Sequence, residues 1–352
     1  MHDIIEKIKA GERVAGNEYL ELEQNADLHQ LGFLAHMVRQ RMHAEPVVTY
    51  VIDRNINYTD ICISACKFCA FFKAPEDGDG QELSQAELAT KIAETKALGG
   101  TQVLLQGGLH PGRPLEFYEE MLRFIKATGI HIHGFSPPEI HHFSLLSGLP
   151  ISEVLQRLIA AGLDSIPGGG AEILSDRVRR ELAPNKCSAD QWIEVMEAAH
   201  DLGLRTTATM MFGHIETSEE RLEHLQRLRD LQDRTQGFTA FIPWPFQPDH
   251  TPLAAMRKIE KATAVTYLRI LALSRIFLDN FSSIQASWVT QGPKIAQLSL
   301  FFGANDFGST MIEENVVAAA GVHFRLSEEE IKHLVLDAGF QPQQRLMDYT
   351  PA

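Results

Sequence analysis

From Val47 onward the chain alternates short apolar runs with longer amphipathic ones, and this alternation limits the possible folds more than any other feature. Short runs of this kind read as strands and the amphipathic ones as helices. Repeated strand–helix units lay successive strands parallel in one sheet. The strand candidates are Thr49 to Asn57, Gln102 to Gln106, His131 to Ser136, Ser165 to Ile166, Arg205 to Phe212, Phe238 to Pro243, Ser283 to Trp288 and Leu298 to Phe302. That is the strand count of a closed (β/α)8 barrel of the TIM type. Helices are expected between them at Ser84 to Leu98, Leu115 to Thr128, Ile151 to Ala161, Asp176 to Leu182, Ala189 to Leu202, Glu219 to Thr235, Ala262 to Leu278 and Ile312 to Ala319.

Three segments follow: a helical extension over 1–45, the α/β barrel over 46–325, and a C-terminal helix and tail over 326–352. In the extension, Leu20, Leu22, Leu31, Leu34, Met37 and Val38 supply an apolar face. In the tail, Ser327 to Ala338 reads as a helix ended by Gly339, and the polar residues after it have no assignable structure. Lys and Arg number 32 against 46 Asp and Glu, a formal charge of −14, which argues against nucleic acid or an anionic membrane surface as partner. No apolar stretch approaches the roughly 18 residues of a membrane span, and the charged start has no signal core. The expectation is a cytoplasmic protein with a small-molecule substrate.

In a parallel barrel, chemistry collects at the C-terminal ends of the strands. After the first strand comes Cys62-Ile-Ser-Ala-Cys66-Lys-Phe-Cys69, which holds three of the four cysteines. Soft thiolates gathered on one short loop suit an iron–sulfur cluster, and three of them leave one iron of a four-iron cluster open. Clustered cysteines in a reducing compartment are more often ligands than disulfides. A zinc hydrolase is the rival, with a histidine such as His110 as fourth ligand. Cys187 stands apart and receives no role.

The other strand ends are rich in glycine and aromatic residues: Gln106-Gly107-Gly108, Ser136 to Glu139, Pro167-Gly168-Gly169-Gly170-Ala171-Glu172, Met211 to Glu216, Ile242 to Pro248, Trp288 to Lys294 and Gly303 to Gly308. Glycine lets the backbone approach a ligand, and Glu172 is suited to accept from ribose hydroxyls. One rim of this kind implies a pocket for a nucleoside-like cofactor and an aromatic ligand. His131 and His133, alternating on one strand face, read as interior or solvent histidines, and His141-His142 as part of a solvated loop.

The triad Cys62, Cys66, Cys69, with Phe68 before the last cysteine, resembles the signature of the radical S-adenosylmethionine superfamily. Ile56-Asn-Tyr-Thr-Asp60, Leu105 to Pro111, Pro167 to Glu172 and Thr206 to His214 are similar to blocks of the futalosine-pathway enzymes of menaquinone biosynthesis. Phe241 to Trp244 with Phe246 to Pro248, Gln285 to Lys294 and Phe302 to Gly308 favour the cyclising branch, although Pro245 stands where a small hydroxyl residue is expected. The resemblance implies a 4Fe-4S cluster on the three cysteines and S-adenosyl-L-methionine as cofactors. It places Gln106, Gly107 and Gly108 at the methionine amino group, and Phe68, Ser136, Glu172 and Met211 elsewhere around that cofactor.

The implied reaction abstracts hydrogen from ribose C4′ of dehypoxanthine futalosine, adds the carbon radical to the benzoate ring, and oxidises the product. For the base, His214, Glu172 and Asp306 are the candidates. For the substrate they are Trp244 and Trp288 as stacking groups, Asn305, and Lys294 for the carboxylate, ahead of Arg275 and the hydroxyls of Ser309-Thr310. A flavodoxin or ferredoxin is the expected electron donor. The rival within the family is an aminofutalosine synthase-like enzyme, which adds a radical to a double bond instead of cyclising.

Overall fold

The computed structural model describes all 352 residues. Strands β1 (Val47–Val51), β2 (Asp53–Asn57), β3 (Gln102–Gln106), β4 (His131–Gly134), β5 (Ser165–Ile166), β6 (Arg205–Phe212), β7 (Phe238–Pro245), β8 (Ser283–Ile284), β9 (Asp306–Ser309) and β10 (Gln341–Gln344) are all laid parallel to their neighbours. Strands β2 to β8 form one sheet in sequence order, and β10-β1-β9 forms a second. Because β1 runs into β2 through Ile52, the two sheets make one ring. β9 closes it, pairing with β1 from Thr49–Asp306 to Val51–Ser309 and meeting β8 through Asn305 N to Ile284 O (3.1 Å) and Ala286 N to Asp306 O (2.9 Å).

Alternation along the strands decides what faces the lumen. Asp53, Asn55, Gln102, Leu104, Gln106, His133, Thr207 and Thr209 line it, whereas Val103, Leu105, Ile132 and Ile166 are fully buried against the helices. Helix Leu28–Met42 packs on helix Ala264–Phe277, and one continuous apolar core runs from Ile4 to Phe340, so the N-terminal helices and the tail share the barrel's core. None of the helices is long and apolar enough to cross a membrane.

Four local expectations are corrected. Thr49 to Asn57 is two strands, since its first half pairs with β9 and β10 and its second half with β3. Leu298 to Phe302 is not a strand: Pro293 opens a helix, Pro293–Ser299, and the last barrel strand is the polar Asp306–Ser309. Strand β8 stops at Ile284, and Trp288 begins a short helix, Trp288–Gln291. His141-His142 lies within helix Pro137–Ser147, whose two leading prolines occupy positions where an intrahelical N–H bond is not needed.

The tail is ordered. Its helix, Glu328–Asp337, starts with a capping box between Ser327 and Glu330, and β10 then pairs with β1 from Val47–Gln341 to Tyr50–Gln344. Arg345, Met347 and Tyr349 continue under the barrel and line its lumen from below.

Candidate active site

The cysteine loop leaves β2 at the C-terminal mouth and is fixed mainly by backbone bonds. Cys62 N donates to Lys73 O (2.9 Å), Ile63 N to Leu109 O (3.0 Å) and Lys67 N to Leu182 O (2.8 Å). A Cβ on Gly108 would lie 2.2 Å from Ile61 O, and one on Gly107 would lie 2.4 Å from the Tyr58 ring, so only glycine permits this approach of β3 to the loop. Glu139 ties the neighbouring strand ends together, accepting from Gly107 N (3.0 Å), Tyr58 OH (2.7 Å) and Ser136 Oγ (2.6 Å). Gly107 N is thereby committed, and Gly108 N donates to Thr59 O (3.0 Å). An ammonium group needs acceptors, so what this turn offers it is carbonyl oxygen.

The sulfurs fit a cluster. Ser64 N and Leu109 N point at Cys62 Sγ (3.4 and 3.3 Å), and burial raises the Cys69 thiol against the N–H groups of Phe71 and Phe72, which favour its thiolate. Burial pushes the Cys66 thiol up to about 11, opposed by the charge of Lys186, so metal binding must displace its proton. No three His, Cys, Asp or Glu side chains lie close enough to hold a single ion. Cysteines that each hold a different iron need not converge in that way. His110 turns instead to Gly112 N (3.0 Å) and lies 3.9 Å from Glu82.

Beside the loop, Lys186 lies 5.1 Å above the Phe68 ring and donates to Glu172 (2.9 Å), with Arg179 3.7 Å from the same carboxylate. Burial works against the Lys186 charge, but Cys66 and Glu172 more than offset it and hold the lysine protonated. Glu172 itself takes a left-handed φ of 42°, and a Cβ on Gly169 would lie 2.3 Å from Gln106 Nε2, so the triple-glycine turn folds closely over β3.

A cavity of about 300 Å³ runs from this rim to the tail. Gln106, Gly169, Glu172, Trp244 and Trp288 line it, as expected for pocket residues. Trp288 Nε1 donates to Ser309 O (2.8 Å), which fixes its indole. Ser136 instead caps a helix and holds Glu139, and Met211 is buried with its carbonyl accepting from His214 Nε2 (2.9 Å).

Four expected residues are not placed to meet substrate. His214 is sealed, its second nitrogen against Ile215 N (2.7 Å) and Glu216 (2.9 Å). Asp306 begins β9 at the floor, where Arg345 (2.5 Å) and Thr49 Oγ1 (2.5 Å) occupy its carboxylate. Asn305 accepts from buried Arg275 (2.5 Å), which burial lowers to about 9 and which also donates to Gly303 O and Phe281 O. Lys294 is exposed on its helix and does not line the cavity, because the strand before it stops at Ile284 and the chain turns into two short helices, Trp288–Gln291 and Pro293–Ser299.

The tail residues Arg345, Met347 and Tyr349 were missed. Arg345 bonds to Asp306 and to Tyr50 O, far back in the sequence, and lies 3.8 Å over the Tyr349 ring, so no local pattern announces these residues. Glu314 was also missed. It accepts from Val316 N, Val317 N and Ala318 N (3.0, 2.8 and 3.0 Å) and lines the cavity.

Residues 56–228 match the family model of the radical SAM superfamily, and 235–352 match the CofH/MqnC C-terminal region. A cyclic dehypoxanthine futalosine synthase of Streptomyces coelicolor is 45% identical across 99% of this chain and 88% of its own length. An aminodeoxyfutalosine synthase of Thermus thermophilus is 42% identical across 97% of this chain and 93% of its own. A solved structure of methylornithine synthase superposes with a TM-score of 0.75 at 19% identity, over 96% of this chain and 97% of the other, and so shares the fold.

Proposed function

The chain belongs to the radical S-adenosylmethionine superfamily, in the branch that carries the CofH/MqnC C-terminal region, and from that premise we propose that it cyclises dehypoxanthine futalosine in menaquinone biosynthesis. One observation carries the reading: a loop with three cysteines and no fourth ligand opens beside a lumen lined by Trp244 and Trp288. When bound, a reduced four-iron cluster and S-adenosylmethionine supply a 5′-deoxyadenosyl radical. A flavodoxin or ferredoxin would deliver the electron.

Cys62, Cys66 and Cys69 hold three irons in this reading. The carbonyls around Gln106 to Gly108 would meet the methionine amino group, and Glu172, held by Lys186, would accept from ribose hydroxyls. Trp244 and Trp288 flank the aryl ring of the substrate. Arg345 is the one permanent cation among the 30 lining residues, and it is neutralised by Asp306, so uncharged donors such as Ser287 and Thr290 meet the benzoate carboxylate. The ring of side chains keeps water and other C–H bonds away while C4′ loses hydrogen and bonds to the ring. Loss of one electron and one proton completes the reaction.

Reconstituted protein incubated anaerobically with reductant, S-adenosylmethionine and dehypoxanthine futalosine is expected to form a product lighter by two hydrogens. No consumption of that nucleoside overturns the assignment.

A further inference from the structure

Among the acids that line the cavity, the oxygens are engaged. Asp53 accepts from Ser309 and from Gln102 Nε2 (2.8 Å), Glu172 from Lys186, and Glu314 from three backbone N–H groups. His133 differs. Its Nδ1 lies 2.8 Å from Ser165 Oγ, while Nε2 makes no hydrogen bond within the protein and is not sealed from the cavity. The same Ser165 oxygen lies 2.7 Å from His131 Nε2. The arrangement follows from the sheet: His131 and His133 are two residues apart on one face of β4, and Ser165 is opposite His133 in register.

We infer that His133 takes up the proton released when the cyclised ring regains aromaticity, and that Ser165 and His131 carry it to the barrel floor. The inference rests on the cyclisation reading. In this step the C–H bond at the substituted ring carbon breaks, its electron pair returns to the ring, and the proton goes to His133 Nε2. The surplus electron leaves to a one-electron acceptor of the iron–sulfur class. His133 passes its Nδ1 proton to Ser165 Oγ, the Ser165 hydroxyl proton passes to His131 Nε2, and His131 releases its own Nδ1 proton to water.

Two further features fit a relay. The tail blocks the direct route, since Tyr349 borders both the lumen and a separate solvent-open cleft beneath it that also holds Arg205 and Asp348. His131 is only partly buried and feels the charges of Asp164, Lys126 and Asp348 at the surface, which gives the proton an exit around the plug. Burial, with His131 and Arg345 nearby, keeps His133 neutral, so its Nε2 lone pair is available.

The test is the ratio of 5′-deoxyadenosine to cyclised product, measured with substrate deuterated at C4′. In His133→Gln, deuterium still enters 5′-deoxyadenosine but the ratio rises about 100-fold, the typical worth of a general base. Ser165→Ala, which removes a single hydroxyl, raises it by a smaller factor and decides the matter if His133→Gln does not retain iron. A parental ratio in iron-loaded Ser165→Ala or His133→Gln overturns the relay. Absence of deuterium transfer in the parent enzyme instead overturns the cyclisation reading, so the two failures are distinct.

Discussion

The two ends of the barrel are built from different materials. At the rim, the main chain does most of the positioning: the cysteine loop is held by backbone bonds to Lys73, Leu109 and Leu182, and Gly107 and Gly108 permit its approach. At the floor, side chains distant in sequence hold the structure, with Asp306 bound by Arg345 and Thr49, and Asp53 by Ser309 and Gln102. A ligand site that must fit closely around a cofactor gains from backbone and glycine, because neither intrudes. A floor that must stay shut gains from buried ionic pairs, which are costly to break.

The largest effect that separates the two ends is expected from Cys66→Ala: loss of bound iron and of all turnover, with the far-ultraviolet circular dichroism of the barrel unchanged. Gly108→Ala comes next. Its Cβ would displace the Ile61 carbonyl, so the loop shifts, iron retention falls, and overpacking costs about 1–3 kcal/mol in a denaturant titration. At the other end, Arg345→Met leaves Asp306 buried without a counter-charge and is expected to cost about 3–5 kcal/mol, while the protein that remains folded still binds iron. Combining Arg345→Met with Asp306→Asn should recover part of that loss.

Acid should act on the floor through a buried histidine. His200 lies between Thr235 and Thr206 (both 2.7 Å), near the start of β6, and burial lowers it to about 4. It is therefore neutral in the fold when the unfolded chain, with an ordinary histidine near 6.5, already binds a proton. Stability conferred above pH 6.5 is lost as pH falls toward 4, and a melting series from pH 7 to 4 should show a decline that His200→Gln flattens. The smallest effect belongs to Lys294→Ala. With that side chain exposed and outside the cavity, kcat/KM should stay within about twofold of the parent, as for surface changes in general.

What could be read in the sequence follows the same division. The helices Ile151–Ala161 and Asp176–Leu182, the strands β3, β5 and β6, and the cysteine loop are set by local pattern, and they lie where spacing and periodicity placed them. The last strand was obscured because Asp306–Ser309 is polar and bears Gly308, whose φ of 90° brings Gln285 Nε2 within 2.8 Å of where a Cβ would stand. Leu298 and Phe301 carry the apolar signal of a strand, yet both are exposed, Leu298 within the short helix Pro293–Ser299 and Phe301 just after it. Sequence alone puts Asn305 and Asp306 just after that run, at the C-terminal end of a strand. The true strand begins at Asp306, which puts both at the opposite end of the barrel. An interior histidine such as His133 reads as structural from sequence, and its link to Ser165 exists only once β4 and β5 are paired.

The central claim is that the rim and the lumen together direct a radical to one carbon of one nucleoside. The most direct measurement uses dehypoxanthine futalosine deuterated at C4′, with the iron-loaded enzyme, reductant and S-adenosylmethionine, followed by mass spectrometry of the 5′-deoxyadenosine. One deuterium in 5′-deoxyadenosine, formed together with the cyclised product, is the predicted result. Unlabelled 5′-deoxyadenosine formed while the substrate is consumed would contradict the account.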